Sequence, residues 1–267
     1  MNRLGAPGGL ACQGLSLSIA GKQVVRELDL ELSPGQFWGL MGANGIGKTT
    51  LMKCLAGLVH PDSGTVLLDG QAVMDLPRRQ VARLLGMLQQ HTAYVFDATV
   101  LQTALTGRHP HLGQWQHESA ADLRRAHEAI DLVGLSGLEK RSVTSLSGGE
   151  ARRLAFASLL VQETGIMLLD EPSNHLDLKH QVLIMSTIGN AVYSGQRLAI
   201  AATHDINLAA CYCSHVLMLF GNGEWGAGPA PDMFTQSKLQ RLYQCPGEMI
   251  ETPAGMRFHP SFEALSN

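Results

Sequence analysis

The stretch Gly42-Ala43-Asn44-Gly45-Ile46-Gly47-Lys48-Thr49 constrains this chain more than any other. It fits G-x-x-x-x-G-K-[ST] in full. An apolar run, Gln36 to Met41, precedes it and reads as a buried strand. Thr49 to Gly57 follows and reads as a helix. Gly42, Gly45 and Gly47 let the backbone turn so that its N–H groups point at phosphate oxygens. The helix that starts there adds the positive end of its dipole. Lys48 is then placed to reach the β- and γ-phosphates, and the Thr49 hydroxyl to ligate Mg²⁺. On its own the loop specifies a nucleotide and a strand-to-helix fold, and no particular reaction.

A second run, Ile166 to Leu169, ends in Asp170 and Glu171. Asp170 is suited to the Mg²⁺ shell and Glu171 to act as general base on water. An acidic pair ending a strand is common on surfaces. It gains weight here because the loop that needs a metal ligand lies in the same chain. The second carboxylate favours an ATPase over a kinase, whose acceptor is not water.

Bulk properties narrow the partners. The chain has 267 residues, 20 Lys+Arg and 23 Asp+Glu, for a net charge of -3. That balance gives no basic excess for gripping nucleic acid by its phosphates, so nucleic acid is not an expected partner. The five cysteines, Cys12, Cys54, Cys211, Cys213 and Cys245, show no CxxC spacing, and they read as reduced thiols. The opening MNRLGAPGGL lacks the apolar centre of a signal peptide. No run reaches the ~18 apolar residues of a membrane helix, so the polypeptide is not expected to cross a membrane by itself.

Along the chain, LACQGLSLSI and VVRELDLEL alternate apolar and polar residues around Ala20-Gly21-Lys22-Gln23. They read as an antiparallel hairpin with one buried face. Thr65–Leu68 and Leu84–Leu88 read as strands, with turns at Asp62-Ser63-Gly64 and Asp69-Gly70. Ala98–Thr106, Glu118–Val133 and Gly148–Val161 carry apolar residues at helix spacing. Strand and helix then alternate again to Phe220, which argues for a parallel sheet covered by helices. Asn222-Gly223 signals a tight hairpin, and Lys238–Tyr243 a helix in the tail. The expected division is a core of 10–89 and 162–230, a helical insertion of 90–161 and a tail of 231–267, all within one domain, 1–267.

Leu146-Ser147-Gly148-Gly149-Glu150 precedes an apolar helix. Ser147 is a good N-cap, and the two glycines let the helix start approach an anion. With GANGIGKT and LLDE in place, LSGGE resembles the signature of the ATPase subunits of ABC transporters, usually LSGGQ. Gln90 resembles that family's Q-loop glutamine, although Gln89 stands where proline is usual, so the register could shift by one. Ser173-Asn174-His175-Leu176-Asp177 resembles the D-loop. Thr203-His204-Asp205 resembles the switch-histidine motif.

The resemblance runs from about Leu10 to the tail. It implies an α/β P-loop ATPase with a mixed central sheet, an N-terminal antiparallel β subdomain and an inserted helical subdomain. It implies ATP and Mg²⁺ as cofactors, with Asn44, Ile46 and Thr50 joining the nucleotide loop and Gln90 joining Thr49 and Asp170 at the metal. Ser147, Gly148, Gly149 and Glu150 would close on the ATP of a second, head-to-tail copy, with Asp177 at the seam. His204 would bond the γ-phosphate. One departure is Ile19, which falls where the family usually stacks an aromatic residue on adenine.

Thr106-Gly107-Arg108-His109-Pro110-His111 and the tail LQRLYQCPGEMIE resemble stretches of iron-siderophore, haem and cobalamin importer ATPases. That implies permease subunits, a periplasmic or lipoprotein substrate-binding protein, and a peripheral position on the cytoplasmic face of the inner (plasma) membrane. The alternatives are an exporter or other ABC system, a soluble ABC ATPase, and a regulatory nucleotide-binding module.

Overall fold

The computed structural model describes residues 9–90, 94, 97–252 and 255–261. The hairpin β1 (Leu10–Ile19) and β2 (Lys22–Leu32) forms as its alternation predicts. It continues through β4 (Ser63–Leu68) and β5 (Gln71–Ala72) into a four-stranded antiparallel sheet of order β2-β1-β4-β5. β4 starts two residues before the expected Thr65. Gly64 takes φ 76° against a bulge in β1, where a Cβ would stand 2.3 Å from the Gly14 carbonyl oxygen. Only glycine fits there.

The central sheet has six strands in the order β10-β9-β3-β8-β7-β6. β3 (Phe37–Gly42), β6 (Leu85–Leu88), β7 (Ile166–Asp170), β8 (Leu198–Ala202) and β9 (His215–Gly221) run parallel, and β10 (Glu224–Pro229) pairs antiparallel at the edge. Asn222 and Gly223 turn β9 into β10 with φ 53° and 82°, the positive values that such a hairpin needs. The parallel strands read as unbroken apolar runs because both faces are covered. Phe37, Met41, Met167, Leu169, Ala199 and Met218 face one core with the helices. Trp38, Leu40, Leu168, Ile200 and Leu217 face the other with the antiparallel sheet and α1 (Lys48–Leu55).

α3 (Val100–Leu105), α4 (Ala120–Leu132) and α5 (Gly148–Val161) make the helical insertion. A capping box occupies the start of each, and it sets α3 and α4 two residues inside their expected ranges. The pairs are Thr99 with Gln102, Ser119 with Asp122, and Ser147 with Glu150. After β7 come α6 (Leu178–Ala191) and α7 (Ile206–Tyr212).

Several elements had no counterpart in the sequence, β5 among them. The short helix α2 (Arg78–Leu84) buries only Val81, too little for a periodic signal. In the tail, α9 (Gln236–Tyr243) contains the expected Lys238–Tyr243 helix, whereas α8 (Ala230–Met233) before it and the hairpin of β11 (Gly247–Thr252) and β12 (Gly255–Pro260) after it were not expected.

Among the described residues no helix is long and apolar enough to cross a membrane.

Candidate functional site

The parallel strands bring their carboxyl ends to one side of the sheet, where ligands of such folds bind. β3 ends in the glycine loop, β6 runs into Gln90, β7 into Glu171 and β8 into His204. Between these ends lies a cleft of about 380 Å³. Ile19, Asn44, Gly45, Gly47, Lys48, Thr49, Thr50, Gln90, Asp170, Glu171, Asn174 and His204 line it.

The loop has the shape its glycines allow. Gly47 is the N-cap of α1 at φ 109°, and a Cβ there would sit 2.5 Å from Val24 Cγ2. Gly42, Ala43 and Ile46 do not line the cleft. The carbonyls of Gly42 and Ala43 accept from Lys48 Nζ at 2.8 and 3.2 Å, and Ile46 packs into the core. Burial pushes the Lys48 ammonium below its ordinary range, while Glu171 and Asp170 push it back up.

Thr49 Oγ1 donates to Asp170 Oδ2 at 2.7 Å. Burial raises the Asp170 carboxyl and the Thr49 bond lowers it. Gln90 Nε2 donates to Glu171 Oε2 at 2.8 Å, and Asn174 Nδ2 donates to the same oxygen. Gln90, and not its neighbour Gln89, is therefore the glutamine whose amide faces Glu171. His204 Nδ1 lies 3.6 Å from Glu171 Oε1. Glu171 itself is buried, with its backbone in the left-handed region at φ 50°.

Ser147, Gly148, Gly149, Glu150 and Asp177 do not line this cleft. Ser147 Oγ and N both donate to Glu150 Oε2 at 2.8 Å, and Arg141 Nη1 reaches Glu150 Oε1 at 3.3 Å. The carboxyl of Glu150 is held below its ordinary range, first by the bond from the Ser147 backbone. No atom stands within 4 Å of where a Cβ on Gly148 would lie, so the start of α5 is open to approach. A Cβ on Gly149 would be 3.7 Å from the His175 carbonyl oxygen, which sets the start of α5 beside the loop that follows β7. Asp177 caps α6, accepting from His180 N at 2.9 Å.

Two residues of the site have contacts that the sequence did not assign. Asn174 stood within the string that resembles the D-loop, with no role of its own. Arg152 carried no signal; it is buried behind the cleft, donating to the main-chain carbonyls of Gln90 and Glu171 at 3.1 and 2.8 Å. The stretch from Gly107 to His111 also differs from the solvated loop that its polarity suggests. Arg108 is buried, pairs with Asp122 at 2.8 Å and Glu163 at 2.9 Å, and donates to the Val161 carbonyl at 3.0 Å. His111 Nε2 is 2.8 Å from the Gln162 carbonyl oxygen.

Residues 25–174 match the family model described as ABC transporter. The chain belongs to the ABC transporter family. ATP binding and ATP hydrolysis come with that membership, as does work alongside permease subunits.

The chain is 36% identical over 244 residues to the hemin import ATP-binding protein of Rhodopseudomonas palustris, covering 87% of this chain and 86% of that one. It is 33% identical over 239 residues to the ferric enterobactin transport ATP-binding protein of Escherichia coli, covering 90% and 88%. Among solved structures it is similar to a chain of a metal-chelate type ABC transporter in an inward-facing conformation. There the TM-score is 0.81 at 25% identity, over 96% of this chain and 99% of that one.

Proposed function

We propose that this ABC ATPase powers the uptake of an iron-siderophore, haem or cobalamin-like compound through separate membrane permeases. It sits on the cytoplasmic face of the inner (plasma) membrane, and a periplasmic or lipoprotein binding protein delivers the cargo. The names of its relatives support the cargo class. One observation carries the hydrolytic reading: Gln90, Asn174 and His204 converge on the Glu171 carboxylate, in the cleft that Lys48, Thr49 and Asp170 also line.

The loop amides from Gly45 to Thr50 bind the phosphates, and Lys48 exchanges its two loop carbonyls for phosphate oxygens. Ile19 covers the base from the rim. Thr49 Oγ1 and Asp170 Oδ2 are paired hard oxygen donors with the Gln90 amide on the same wall, a set that suits Mg²⁺, which when bound supplies charge neutralisation at the β- and γ-oxygens. Because Gln90 and Asn174 both occupy Glu171 Oε2, Oε1 is the atom that accepts the proton of the attacking water. His204, beside Oε1, orients that water and bonds the γ-phosphate.

The open start of α5, from Ser147 to Glu150, closes on the ATP of a second, head-to-tail copy. Asp177 lies at the seam between them. To donate there, the Ser147 hydroxyl turns away from Glu150, while the Ser147 N–H keeps that carboxylate in place. Closure and reset of the pair drive the permeases.

Replacing Glu171 by Gln keeps the shape and removes the base. Turnover is expected to fall on the order of 10²–10⁴-fold with ATP binding retained, and the ATP-loaded variant to elute as a dimer. Undiminished phosphate release from E171Q would remove Glu171 from this role. A monomeric ATP-loaded E171Q would remove the second copy.

A further inference from the structure

The ladder between β6 and β7 ends at the pair Leu88–Leu169. Past it, no strand pairing sets the spacing of Gln90 and Glu171, the amide and carboxylate on which hydrolysis turns. A side chain from α5 takes over. Arg152 is 5% exposed. Its Nη1 donates to the carbonyls of Gln89 and Gln90, and its Nη2 to those of Asp170 and Glu171. One planar fork thus clamps both strand ends from below, and an ammonium could not span them in the same way.

The clamp also bears on Glu171's backbone, whose left-handed φ of 50° a non-glycine residue adopts only when its surroundings hold it there. Arg152 lies three residues past Gly149 on the same rigid helix. A shift of the helix start therefore moves the guanidinium, and with it the spacing of the four carbonyls.

We propose that Arg152 is a positioning residue: it couples the seating of α5 to the alignment of the Gln90–Glu171 pair. The proposal rests on the reading of Glu171 as the base. A misplacement of about 1 Å at a reacting centre costs on the order of 10²-fold, so a tie of this kind makes hydrolysis depend on engagement of the signature without touching the nucleotide.

The test uses the full chain with R152Q, R152K, Q90A and E171Q. Turnover is measured with Mg²⁺, and ATP affinity separately in EDTA. R152Q is expected to lose roughly 10- to 100-fold in kcat while its ATP affinity stays within about twofold. R152K should fall between R152Q and the parent. Combined with Q90A, R152Q should cost little beyond the larger single loss, because both act on one pair.

Turnover of R152Q within about threefold of the parent would overturn the proposal. So would additive losses with Q90A, or a fall in ATP affinity matching the fall in kcat, since each marks a merely structural arginine. If R152Q is not recovered folded, R152K takes its place in the cycle with Q90A, and the same results support or overturn the tie. The two readings fail separately. An active E171Q removes the base, whereas an inactive E171Q beside a fully active R152Q removes only the tie.

Discussion

Ile19 ends β1 on the rim of the cleft with 43% of its surface exposed. An aliphatic side chain there covers a purine by contact alone, whereas a ring adds about 0.5–1.5 kcal/mol of stacking. Ile19→Tyr is therefore expected to tighten ATP binding several-fold, read by titration calorimetry with Mg²⁺ withheld. Unchanged affinity would put the adenine elsewhere. Residues such as Lys48, Asp170 and Glu171 were legible because each sits inside a local string whose spacing is its chemistry. The contact of Asn174 with Glu171 and those of Arg152 were not, because they exist only in the folded chain. Arg152 meets Gln90 across 62 positions of sequence and Glu171 across 19. No periodicity records such a meeting, and an arginine in a helix reads as a solvated face.

The start of α5 is built from the same atoms that make its signature. Glu150 accepts from Ser147 N and Oγ, and returns its own N–H to that hydroxyl at 3.3 Å. These bonds hold its folded-state pKa below the unfolded value. The stability they confer is thus fully present above the ordinary glutamate pKa of about 4.3 and is lost as pH falls through the lower folded value. Glu150→Gln keeps an acceptor for the Ser147 N–H and has no proton to gain. The midpoint of thermal unfolding, followed from pH 6 down to pH 3, should fall less steeply in this variant than in the parent. Parallel curves would show that the box contributes nothing to acid sensitivity. At this scale the sequence was most readable at Ser147, whose N-cap chemistry marks where α5 begins, whereas Thr99 and Ser119 cap α3 and α4 two residues inside the starts that periodicity suggests. It was least readable where an element is held from outside. α2 is pinned by Arg79 and Arg83, both donating to the Pro110 carbonyl, and it needs no apolar stripe of its own.

Across the whole molecule, β3, β7 and β8 reach the cleft as fully buried strands of the central sheet, but α7, which begins two residues past His204, is held by the tail. Arg257 Nη1 donates to the Asn207 carbonyl at 3.0 Å, and Phe258 N donates to Asn207 Oδ1 at 2.9 Å. Phe258 is buried in the same core as Ala209. Two hydrogen bonds of about 1 kcal/mol each and a buried phenyl of about 1.5–3 kcal/mol outweigh what a seven-residue helix can supply for itself. Ending the chain after Gln244 removes this brace and leaves the glycine loop, Asp170 and Glu171 in place. Amide exchange of Leu208 to Tyr212 should then quicken while that of β3 and β7 stays slow. Turnover should drop several-fold at nearly unchanged ATP affinity, because His204 loses its fixed distance to Glu171 and the phosphate grip does not depend on α7. Exchange in α7 as slow as in the parent would show that the helix stands without the hairpin.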